Sequence, residues 1–103
     1  MHSKNTAQVV CVAEFRAFEG KTEELIEALH VLIKPTLAEQ GCIRYELNQR
    51  VDDERRITFI EKWNDKEVFD RHCATSYVKH YFDVARPQLV EWFEVKLYQE
   101  ILP

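Results

Sequence analysis

The sequence is poor in glycine, proline and cysteine. Only Gly20 and Gly41 occur among 103 residues, so no glycine-rich loop is available to cradle a phosphate. Three cysteines, Cys11, Cys42 and Cys73, cannot all pair within one chain, and none stands in a C-x-x-C. That usage points to a reduced, cytosolic protein. The histidines at 2, 30, 72 and 80 form no H-x-x-x-H and no Cys/His set with ligand spacing, so no metal site is expected. A G-x-S-x-G nucleophile elbow is missing as well. The start, Met1 to Thr6, is polar and no long apolar run follows it. We therefore expect neither a signal peptide nor a membrane-spanning helix. Repeats, low-complexity tracts and linkers are also absent.

What is present suits one globular domain. Apolar residues make up 46% and charged residues 31% of the chain. Residues 1–103 are read as a single domain, with 1–6 as a disordered tail. The net charge is −4, and neither half of the chain is basic, which argues against nucleic acid or an anionic membrane as a partner. A small anionic ligand stays open. A chain this short buries roughly 65% of the surface its unfolded form exposes, so a second copy is the simplest additional partner.

Periodicity supplies the element order. Ala7 to Phe15 is a β-branched, mostly apolar run, read as a strand buried on both faces. Gly20 marks a turn. From Lys21 to Gln40, Leu25, Leu29, Leu32, Ile33, Thr36 and Leu37 recur at helical spacing, with Glu23, Glu24, Glu27 and Lys34 opposite. Pro35 crowds the carbonyl of Val31 and predicts a kink or restart. Gly41 is read as the left-handed cap. Cys42 to Gln49 alternates as a strand, with Ile43, Tyr45 and Leu47 on one face. Residues 51–55 form a charged hairpin loop, and Arg56 to Trp63 is a third strand. Asn64 and Glu67 suggest a capping box for a second helical segment. It carries Val68, Phe69, His72 and Cys73 on one stripe, breaks at Thr75-Ser76, resumes through Tyr77, Val78, Tyr81, Phe82 and Ala85, and stops at Pro87. Val90 to Ile101 alternates as the last strand.

The order β-α-β-β-α-β is the α+β, ferredoxin-like arrangement, an antiparallel four-stranded sheet with both helical segments on one face. Strands one and four carry apolar residues at both parities. The face away from the helices is therefore not fully polar, and a homodimer packed through it is expected.

One polar and aromatic set clusters around the third strand and second helical segment. Glu61 and Trp63 share a strand face; His72, Ser76, Tyr77, His80 and Tyr81 follow on the helix. If that helix covers the face bearing Trp63, these groups border one pocket. A histidine there can move a proton near neutral pH, and the rings can flank a flat substrate. Taken singly, each residue reads first as structural: His72 and Cys73 as core, Trp63 as packing, Tyr77 with Tyr81 as a helix-surface pair, Glu61 as half of an ion pair.

The ordered set Gly41-Cys42, Tyr45, Glu61-Lys62-Trp63 and His72-x-x-Thr75-Ser76-Tyr77 with Tyr81 resembles the antibiotic biosynthesis monooxygenase domain, the quinol monooxygenase type included. The resemblance spans about the whole chain. It implies a homodimer of ferredoxin-like subunits, a dimeric α+β barrel, and cofactor-free oxidation of a small aromatic hydroquinone or polyphenol by O2. On that reading His72 is the base and Tyr77 or Tyr45 the hydrogen-bond donor. Trp63 and Phe59 wall the pocket with Phe69 and Tyr81, and Glu61 orients a neighbour. Where many members carry a second helix histidine, Ser76-Tyr77 stands here, with His80 one turn later. Phe59 occupies the asparagine position of polyketide-oxidising members. The haem-degrading branch has an asparagine on the first strand that this chain lacks, which speaks against haem. The alternatives are a non-catalytic dimeric small-molecule binder or stress protein, and an isomerase of a small phosphorylated ketose using Arg71, Lys79 or Arg86 at the pocket mouth.

Overall fold

Alternation along four segments builds the sheet, and the computed structural model describes residues 7–103. The tail expected at 1–6 lies outside the described residues. In chain order the elements are β1 (Val9–Ala17), α1 (Thr22–His30), α2 (Ile33–Leu37), β2 (Cys42–Arg50), β3 (Asp53–Trp63), α3 (Lys66–Cys73), α4 (Ser76–His80), a π-helical turn (Tyr81–Ala85), α5 (Arg86–Leu89) and β4 (Val90–Tyr98). The sheet runs β2-β3-β1-β4 and every neighbouring pair is antiparallel. This is the ferredoxin-like α+β order expected from the sequence.

The register fixes what faces the helices. Tyr45, Glu61, Cys11 and Leu97 form one row across the four strands; Leu47, Phe59, Ala13 and Val95 form the next. The core lies on this face, with Trp63, Phe59, Phe15, Ile57, Leu25 and Leu29 fully buried. β1 alternates buried and half-buried residues, so it is buried on one face, not both as its composition suggested. Val10 and Val12 are the half-buried face.

Several boundaries move for identifiable reasons. The first helical segment breaks at Val31-Leu32, the site the Pro35 ring crowds. Pro35 itself sits in the first turn of α2, where a missing N–H costs little. Gly41 has φ +92° as anticipated, but it turns the chain into β2 rather than capping α2, which ends at Leu37. A Cβ there would lie 2.6 Å from Val68 Cγ1. Ile43 is the extra residue of a bulge between Cys42 and Arg44 and is exposed, not on the face of Tyr45. The hairpin is tighter than 51–55: Arg50 pairs with Asp53, and β3 starts there.

Asp65, not Asn64, caps α3. Its backbone is extended and its carboxylate accepts from the Val68 amide at 2.9 Å. Pro87 lies inside α5 rather than ending the helix. Just before it the Arg86 N–H reaches back to the Tyr81 carbonyl, closing the wider turn. Cys73, expected in the core, is exposed at the end of α3. No helix among the described residues is long and apolar enough to cross a membrane.

Candidate functional site

The site begins with β3. Pleating sends Phe59, Glu61 and Trp63 to the helix-covered face, and α3 closes over them with Phe69 and His72. The Trp63 and His72 rings lie 4.4 Å apart between centroids, and Tyr45 meets the imidazole edge-on at 5.3 Å. Trp63 Nε1 donates to Glu61 Oε1 at 3.0 Å. Glu61 is 4% exposed, and no ion pair to it is formed among the described residues. Burial pushes its carboxyl up to about 7, against the opposing hydrogen bond from the indole. The thiol of Cys11 stands across the strand from it, and burial drives that thiol well above the ordinary range.

His72 is held by a residue that no motif or periodicity singles out. Its Nδ1 lies 3.0 Å from Glu39 Oε2 and 3.2 Å from Oε1. The Tyr77 hydroxyl donates to the same carboxylate. Burial lowers the imidazole pKa, and Glu39 partly offsets it. Neutral at pH 7, the ring gives its Nδ1–H to Glu39, which leaves Nε2 as the basic nitrogen. Burial also pushes the Tyr77 phenol up to about 12, with Glu39 adding to the effect. Glu39 lies beyond α2, and only the fold brings it across 33 positions to His72. No spacing rule reaches that far.

Between sheet and helices lies a cavity of about 290 Å³. Its wall takes Cys11, Ala13 and Phe15 from β1, Phe59 and Glu61 from β3, and Phe69 and His72 from α3. Val78, Tyr81 and Phe82 close it, Val95 borders it from β4, and the exposed Cys73 reaches its rim. Five of the eight candidate residues, Phe59, Glu61, Phe69, His72 and Tyr81, therefore share one cavity. The expectation that Trp63 and Tyr77 line it beside His72 does not hold. Trp63 is fully buried behind His72 and Glu61, and Tyr45 is stacked on Phe59 at 4.2 Å. Tyr77 lines a second, outer pocket of about 560 Å³ with His80 and Ser76. Leu32 and Tyr81 border both spaces and form the partition.

The arrangement offers a carboxyl able to hold a proton near neutral pH and a carboxylate-oriented imidazole, in a wall otherwise mostly apolar. Comparison with known proteins decides the family. The sequence model of the antibiotic biosynthesis monooxygenase family matches residues 8–84. The chain belongs to that family. Putative monooxygenase YcnE of Bacillus subtilis (strain 168) is 26% identical over 94 residues, covering 81% of this chain and 99% of its own. Protein SO0527 from Shewanella oneidensis superposes with a TM-score of 0.95 at 52% identity, covering 96% of both chains. PA3566 from Pseudomonas aeruginosa gives 0.80 at 28% identity, covering 100% of this chain and 98% of that one. Membership of that family gives this chain a monooxygenase-like function in general terms and a small-molecule substrate.

Proposed function

We propose that the protein is a cofactor-independent monooxygenase that oxidises a small aromatic hydroquinone or polyphenol with O2. The observation that carries this reading is the mostly apolar cavity with Glu61 and His72 in its wall, His72 being fixed at Nδ1 by Glu39.

The chemistry asks for little more. His72 Nε2 takes a proton from a ring hydroxyl. The electron-rich anion passes one electron to O2, and the two radicals combine at a ring carbon. Breakdown of the adduct cleaves the O–O bond, leaving one oxygen on the ring and releasing the other as water. For a simple hydroquinone the products are one hydroxyquinone and one water per O2, with every electron supplied by the substrate. Glu61 stands at the cavity wall rather than behind a neighbour. Its role is to exchange a proton with the leaving oxygen. Trp63 and Tyr45 act from behind, as a packed backing that holds His72 and Glu61 in place.

The isomerase alternative wants cations at the cavity, and none of Arg71, Lys79 and Arg86 lines it. We also propose a cytosolic homodimer. The free cysteines support the location. The dimer is supported by apolar Val10, Val12, Ile60 and Tyr98 on the bare sheet face, together with half-exposed Phe93, Val95 and Leu97 on β4. The test of the reaction is oxygen uptake against a panel of hydroquinones, with product mass. An increase of one oxygen and loss of two hydrogens supports it. Absence of uptake across the panel, with ligand still bound, makes the protein a binder.

A further inference from the structure

The cavity has two chemically different ends. Cys11 and Glu61 stand on one level across the sheet. His72 joins them there, its ring 4.4 Å from that of Trp63, whose indole N–H donates to Glu61. Phe15 lies four residues farther along β1, roughly 13 Å at strand rise. Around it the rings of Tyr81, Phe82 and Phe93 pack at 5.3, 5.8 and 6.0 Å. Phe15, Tyr81 and Phe82 all line the cavity, and between the two ends Ala13, Phe59 and Val95 form one apolar register row.

The far end therefore shows a ligand only carbon. The Tyr81 hydroxyl, the one polar side-chain atom of its three lining residues, is sealed as well as unpaired among the described residues. Arg86 lies over the Phe93 ring at 4.7 Å but does not line the cavity. At the near end, His72 Nε2 and Glu61 Oε2 are not among the atoms left sealed and unpaired. A hydroxyl carried to the far end would give up its water and find no partner there, which is costly.

We propose that this division selects the substrate: a two-ring diphenol with both hydroxyls on one ring, which meets His72 and Glu61, and a bare second ring seated among Phe15, Tyr81 and Phe82. The proposal rests on reading the cavity as the substrate site, and it narrows that reading by excluding polyphenols oxygenated on both rings. Phe15 and Phe82 are then the residues that set specificity. The cavity volume, about 290 Å³, compares with the ~150 Å³ that holds one benzene, so two rings fit.

The test compares 1,3-dihydroxynaphthalene, hydroxylated on one ring, with 2,6-dihydroxynaphthalene, hydroxylated on both. Neither isomer has adjacent hydroxyls, so internal hydrogen bonding does not bias the comparison. Calorimetric titration under argon should favour the 1,3 isomer about tenfold, the cost of one unpaired buried hydroxyl. Equal or reversed affinities overturn the proposal, as does the failure of both isomers to bind. Phe82→His places a polar ring at the far end and should narrow the preference at least threefold by tightening the 2,6 isomer. An unchanged preference in a variant of normal circular dichroism overturns the role of Phe82. Nuclear Overhauser contacts in the wild-type protein give the orientation without a variant. Protons of the bare ring should touch Phe15 and Phe82, and contacts from the hydroxylated ring to those residues would overturn the proposal. Oxygen uptake is a separate readout. Selectivity without uptake sinks the oxygenase reading and leaves this one standing; uptake with no preference between the isomers does the reverse.

Discussion

The two faces of the sheet hold their carboxylates in opposite ways. On the bare face Arg56 lies 3.5 Å from Glu14 and 3.3 Å from Asp53 at the hairpin, and Glu91 accepts from Arg16 at 2.9 Å. Arg56 also lies over the Trp92 ring at 5.1 Å. A backbone hydrogen bond from Arg55, helped by these cations, lowers the Asp53 pKa. On the covered face Glu61 has an indole N–H and no cation, and burial raises it to about 7. Within the covered face the row Tyr45, Glu61, Cys11, Leu97 is 5%, 4%, 1% and 40% exposed. The helices stop short of β4. One alternating pattern thus yields a half-buried ionic lattice, a dry proton-holding site and an open apolar stripe, according to what lies above each residue.

The sharpest way to break the contrast is at the dry site. His72→Gln removes the basic nitrogen and should reduce turnover of the accepted hydroquinone about a hundredfold or more, measured as oxygen uptake with circular dichroism unchanged. Turnover within a few-fold of wild type would remove His72 from the proton step. Glu39→Gln should cost less, about tenfold, and shift the pH profile, because the imidazole loses its orienting carboxylate. An unchanged profile would mean that Glu39 only packs.

Trp63→Ala should destabilise the protein by about 3–5 kcal/mol, the usual cost of emptying an aromatic core position. Urea denaturation reads it, and a loss below about 1 kcal/mol would contradict full burial. Glu61 makes a signed prediction with pH. The folded carboxyl keeps its proton up to about 7, whereas the unfolded one loses it near ~4.3. Between those values the folded state binds more protons, so this contribution to stability is present at low pH and lost as pH rises through 7. His72, with its pKa depressed, works the other way: folding weakens as pH falls through the ordinary histidine range. Glu61→Gln should therefore gain on wild type in urea midpoint between pH 5 and pH 8. A constant gap would show that Glu61 titrates normally. The smallest effect belongs to the bare face. Arg16→Met in the half-buried lattice should cost about 0–1 kcal/mol, and a larger loss would mean that the lattice is sealed by a second copy. Sedimentation at micromolar concentration decides that directly, with about twice the chain mass expected.

The fold was legible because its signals are local. Period-two runs at Tyr45–Leu47 and Ile57–Trp63, period-3.6 runs at Leu25–Leu32 and Val68–His72, and two glycines at positive φ needed only neighbours a few residues away. Boundaries slipped where two local signals competed. Asp65 outbid Asn64 as cap, and Pro87 passed for a terminator because the π-helical turn before it has no sequence signature. The site was half legible. Strand parity put Glu61 on the correct face and the helix stripe put His72 opposite it. Nothing local reports that Tyr77 would turn to Glu39, or that Trp63 would sit behind the cavity instead of in its wall.

Alone, then, the sequence determined the element order, the covered face of the third strand and the family motifs, the first two of which follow from backbone geometry repeated every two or 3.6 residues. Tertiary structure decided the rest: Glu39 on His72 and, among the described residues, Glu61 without a cation and Tyr81 without a hydrogen-bond partner. Proton affinity and hydrogen-bond satisfaction depend on burial and on groups brought close from distant positions, and neither quantity exists until the chain has folded.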